Sequence, residues 1–131
     1  MKPAAADSFD FTDMEAMHRV VKAIIDFDDT VRLMLERLPR TKPWHRLLAA
    51  QLQLAEREIQ ILRMTISLER GADEVFKAAH ALCRTSRDVE VSVRGSRADL
   101  VTQQSIQLLV SMGAQILGVI EHCATLPTAP R

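Results

Sequence analysis

A chain of 131 residues is long enough to bury one core without disulfide or metal staples, and its 17 basic side chains balance 17 acidic ones. That balance argues against nucleic-acid binding through bulk charge. The absence of tyrosine, with only four glycines and five prolines, favours an all-helical protein over a sheet protein.

Residues 1–11 read as a flexible lead, because Lys2-Pro3-Ala4-Ala5-Ala6 has nothing to bury and no apolar run marks a secretory signal. Thr12 is a good N-cap for a first helix, and Glu15, three residues on, completes a capping box. Apolar residues then recur with helical period at Met17, Val20, Val21, Ile24, Phe27, Val31, Met34, Leu35 and Leu38, until Pro39 ends the run. Asp28 falls inside this apolar seam. It needs an arginine or lysine from another helix, or Arg32 at i+4, to be accommodated there.

Arg40-Thr41-Lys42-Pro43 is a short connection, and Pro43 suits the first turn of a second helix. That helix carries the sharpest repeat in the chain. Leu47, Leu54, Ile61 and Leu68 fall seven apart, Leu48, Ala55 and Leu62 run beside them, and Leu52, Ile59 and Ile66 lie between. Two adjacent seams predict a face wide enough to cover two neighbouring helices. Gly71 is expected to cap this helix and Asp73 to start the next.

The third helix should bury Val75, Ala79, Leu82, Ser86 and Val89. Val89-Glu90-Val91-Ser92-Val93 alternates as a strand would, but it has no partner strand, so it reads as the end of the helix. Arg94-Gly95-Ser96 breaks the chain, and Ser96 with Asp99 forms a second capping signature.

The fourth helix is the most distinctive. From Leu100 to Ile120 it carries no charge; its polar members are Thr102, Gln103, Gln104, Ser105, Gln107, Ser111 and Gln115. It is too apolar for a surface helix and too rich in glutamine for a bilayer, so it reads as a central helix or a subunit contact. No segment of the chain is expected to span a membrane. Gln104, Gln107, Ser111 and Gln115 form a neutral stripe expected to meet a partner helix, where glutamines pair across the seam. Pro127 and Pro130 mark a loose tail over 127–131.

The expected architecture is therefore an all-α, antiparallel up-down-up-down four-helix bundle over 12–126, with a helix-mediated or helix-exchanged dimer as the variant. Cys83 and Cys123 lie in different predicted helices without metal-type spacing, which fits a reduced, cytoplasmic protein. No cofactor is implied. The expected role is a non-catalytic protein–protein interaction module, an adaptor, chaperone or regulator, working as a homodimer with a protein partner.

Two other readings have residues to support them. Ala78-Ala79-His80-Ala81-Leu82-Cys83-Arg84-Thr85-Ser86 resembles the phosphohistidine segment of histidine phosphotransfer domains, which are helical bundles of about this size. The resemblance implies His80 as phospho-acceptor, and Lys77 and Arg84 share its face. Cys83 and Arg84 stand where that family carries lysine and glycine. The other reading is a metal-binding bundle. Glu15 and His18 have the i, i+3 spacing of carboxylate-bridged metal bundles, with His122 brought to the same end by antiparallel packing. At the opposite end, Trp44 among Lys42, His45 and Arg46 either covers the core or stacks on an anionic partner.

Overall fold

The apolar period of three and four residues is realised as four helices. The computed structural model describes residues 14–125. They are α1 (Met14–Arg37), α2 (Pro43–Ser67), α3 (Ala72–Arg94) and α4 (Leu100–Thr125). Among the described residues there is no strand, and Val89–Val93 is helical.

Each helix packs on its neighbours in sequence, and α4 closes the ring on α1. The pairings run in opposite directions along neighbouring helices. Asp28 and Arg32 of α1 meet Arg63 and Glu56 of α2. Cys83 and His80 of α3 meet Gly113 and Glu121 of α4. One chain completes this ring, so the core needs no exchange of helices.

Phe27, Leu48, Leu52, Ile59, Leu62, Leu82, Ile106, Leu109, Ile116 and Ile120 fill the centre. All five residues expected to be buried on α3 are buried. Both cysteines are buried and free. The Cys83 thiol donates to the Gly113 carbonyl at 3.1 Å, and burial pushes it above the ordinary thiol range.

Several expectations about helix ends are corrected. The Thr12 cap lies outside the described residues. Gly71 does not cap α2: Glu69 takes the left-handed position, with φ 54°. Glu69 N–H donates to the Ile66 carbonyl and Arg70 N–H to the Thr65 carbonyl, which is the Schellman pattern. Gly71 instead starts α3 in an extended conformation, and Asp73 sits in the first turn rather than at the cap. Ser96 turns back to the Val93 carbonyl, leaving Asp99 to cap α4 through the Thr102 N–H. The Thr102 hydroxyl, donating at 2.6 Å, holds the Asp99 carboxyl below its ordinary value.

A left-handed residue with a Cβ carries strain. Glu69→Gly is therefore expected to raise the stability by about 1 kcal/mol. Urea denaturation checks this; an unchanged or lower midpoint would show that Glu69 is not strained.

Three further corrections concern the apolar residues. The α2 face is not buried across its width: Leu48, Leu52, Ala55, Ile59 and Leu62 face the core, while Leu47, Leu54, Ile61 and Leu68 are 55, 39, 56 and 59% exposed. In the ring, α2 has only two neighbours, and its outer seam meets neither. Val21 of α1, expected in the core, is also exposed. Contrary to the sequence expectation, Leu100–Cys123 is long and apolar enough to cross a membrane, with mean hydropathy 1.3. The core side of a bundle helix and a membrane span share that composition. Here the apolar half of α4 is taken up by the core.

Candidate interaction surface

The helical period divides α4 into two faces. Ile106, Leu109, Met112, Gly113, Ile116 and Ile120 turn inward and are buried. Gly113 lies against α3, where an added Cβ would meet Ser86 Oγ and Cys83 Sγ at 3.6 and 3.7 Å.

The outward face holds Gln103, Gln104, Gln107, Leu108, Ser111, Ala114, Gln115 and Gly118, all exposed. The four residues of the expected neutral stripe thus lie on one open face. Leu100 and Val101 extend its apolar character at the N-terminal end, and Leu108 interrupts the glutamines midway. Those three exposed apolar residues were not singled out from sequence, because in an apolar helix nothing local distinguishes an inward leucine from an outward one. At Gly118 an added Cβ would meet nothing within 4 Å, so the surface there is bare backbone.

Surface helices ordinarily carry charge on the wet side. This one carries none between Leu100 and Ile120; charge flanks that stretch at Asp99, before the helix, and at Glu121 in its last turns. Such a face can pack closely on another helix, with small residues allowing approach and glutamines supplying donors and acceptors.

The other predicted site residues are placed as follows. His80 is half-exposed on α3; its Nε2 lies 3.8 Å from Glu121 Oε2 of α4, and the Phe76 ring centroid is 6.4 Å away. Lys77 and Arg84 are exposed on the same helix. The exposure that the phosphotransfer resemblance requires is met, but the charged group across from the imidazole is a carboxylate, which repels a phosphoryl group. Glu15, His18 and His122 are exposed, and no group of three or more metal-capable side chains comes together among the described residues. Trp44 is half-buried against the core. His45, buried beside it with ring centroids 4.2 Å apart, accepts the Lys42 N–H at Nδ1. This pair covers part of the bundle end, with Trp44 packed on the core.

Asp28 is buried and paired. Its carboxylate lies 3.2 Å from Arg32 Nε and 3.7 Å from Arg63, and Arg32 also meets Glu56. This is a cross-helix ion network: Arg32 at i+4 stands at ion-pair distance as the spacing predicted, but its Nε–H donates to Glu56 and leaves the buried Asp28 Oδ1 without a hydrogen bond.

No family model, curated protein or solved structure matches the chain.

Proposed function

We propose that this chain is a non-catalytic helical interaction module that works as a homodimer and binds another protein through the outer face of α4. The observation that carries the reading is the open, charge-free surface of Gln104, Gln107, Leu108, Ser111, Gln115 and Gly118. A partner helix with small and neutral residues would pack on it without desolvating a charge, and would satisfy the glutamines across the contact. The phosphotransfer reading of His80 is weaker because Glu121 stands beside the ring.

The test is charge insertion on the open face. Gln107→Glu and Ser111→Lys leave the core untouched, so helical content should stay at the wild-type level. A protein recovered stoichiometrically with the tagged wild-type chain should be lost with both variants. Recovery of the same proteins with wild type and variants, or of none in stoichiometric amount, would refute the α4 surface.

A further inference from the structure

The sparsest contact between neighbouring helices is that of α1 with α2. Between them lies an open groove of about 400 Å³, lined by Val20, Val21, Ile24 and Ile25 of α1 and by Arg63 and Ile66 of α2. Val21 and Ile25 are exposed in it. The two helices run in opposite directions, so the lining has an order. Arg63 bounds the inner end, level with Asp28. Ile24 and Ile25 follow, and Val20, Val21 and Ile66 line the stretch nearest the start of α1.

The chain before α1 carries the matching order. Residues 1–13 precede the described part of the chain. Lys2-Pro3-Ala4-Ala5-Ala6 has nothing to bury, but Asp7, Phe9 and Phe11 follow it at a spacing of two. In an extended segment, residues two apart share one side. One side therefore offers a carboxylate, a ring and a second ring, while Ser8 and Asp10 turn away. The lengths agree as well. At about 1.5 Å per residue, Val20, Ile24 and Asp28 lie about 9, 15 and 21 Å along α1 from Met14. An extended chain covers about 3.3 Å per residue, so Phe11, Phe9 and Asp7 reach about 10, 17 and 23 Å from the same point. Doubling back along α1 thus brings Phe11 to Val20, Phe9 to Ile24 and Asp7 to Arg63, and side-chain length makes up what the reversal takes. Arg63 has donors left for a carboxylate. Among the described residues it gives one hydrogen bond, to Gln60 Oε1 at 3.4 Å. It stands 3.7 Å from Asp28, which Arg32 also faces at 3.2 Å.

We propose that the segment before α1 doubles back along that helix and seats Phe9 and Phe11 in the α1–α2 groove, with Asp7 on Arg63. Two rings then cover aliphatic surface that the four helices leave open, and the groove is filled from within the chain. The outer face of α4 lies apart from it and stays free for a partner.

Methyl NMR of the full chain tests the docking. In the wild type, the ring protons of Phe9 and Phe11 should give nuclear Overhauser contacts to the methyl groups of Val20, Val21, Ile24 and Ile25. Ring currents should move those methyl signals upfield. Phe9→Ser with Phe11→Ser should abolish the upfield displacement and leave helical circular dichroism unchanged, since the groove lining itself is untouched. The same variant should enhance the fluorescence of the dye anilinonaphthalene sulfonate at least about twofold over the wild type, because the groove is then open. Asp7→Lys should reduce the displacement by setting a cation against Arg63. Absence of the ring-to-methyl contacts in the wild type would overturn the proposal. So would methyl signals that the double serine change or Asp7→Lys leaves in place, or equal dye fluorescence from the wild type and the double serine variant. Contacts seen only between chains, in a mixture of methyl-labelled and ring-labelled copies, would give the groove to a second copy and overturn it too.

Discussion

Leu62→Ala is expected to lower the unfolding free energy by about 2–5 kcal/mol, and Ile59→Ala by a similar amount. Both side chains are 0% exposed, and both lie on the inner seam of α2. Truncation removes buried methyl and methylene groups and leaves a cavity that the four packed helices close only in part. The contrast with the next residue makes the test sharp. Ile61 is 56% exposed, so Ile61→Ala should change single-chain stability by less than about 0.5 kcal/mol. Urea denaturation at concentrations where the chain is monomeric separates the two. Equal losses at positions 61 and 62 would show that α2 is rotated from the arrangement described. Ile59 and Leu62 share a face, so their losses should not simply add.

The second large effect is expected in the Asp28 network. Arg32→Met together with Arg63→Met strips a buried carboxylate of both guanidiniums, with a cost of about 3 kcal/mol. That is the low end for a broken buried pair, because the two arginine side chains are 58 and 45% exposed and water screens part of the interaction. Asp28→Leu should cost less than about 1 kcal/mol, since the two arginines left behind can hydrate while leucine joins the apolar seam. The order of the two losses decides the matter. If Asp28→Leu proves more damaging than the double arginine change, the pairing itself, rather than relief of a buried charge, holds this part of the bundle.

The candidate surface was legible in the sequence to an unequal degree. The stripe of Gln104, Gln107, Ser111 and Gln115 could be read as one face because helical spacing alone places those residues together. The four lie exposed as a group. The α2 ridge was visible as a repeat but assigned to the core, since a heptad of leucines looks the same whether it faces the bundle or the solvent. The caps were misplaced for a related reason. Gly71 was the favoured left-handed residue by propensity, yet α2 ends two residues earlier and Glu69 takes the strain. Ser96 and Asp99 both had capping side chains, and choosing between them required knowing which carbonyl Ser96 could reach, which is that of Val93.

By itself the sequence determined four helices, their breaks at Pro39–Pro43 and around Gly71 and Gly95, and the inward residues of α3. These follow from local chemistry: proline lacks an amide proton, and a period near 3.6 leaves one stripe to bury. Only the tertiary structure decided which of the two α2 seams enters the core. A helix at one corner of a four-membered ring touches two neighbours and keeps the rest of its circumference uncovered. The two seams sit side by side with the same heptad period, so only the directions of α1 and α3 select between them. The same selection left Leu47, Leu54, Ile61 and Leu68 outside and put the charge-free side of α4 on the surface.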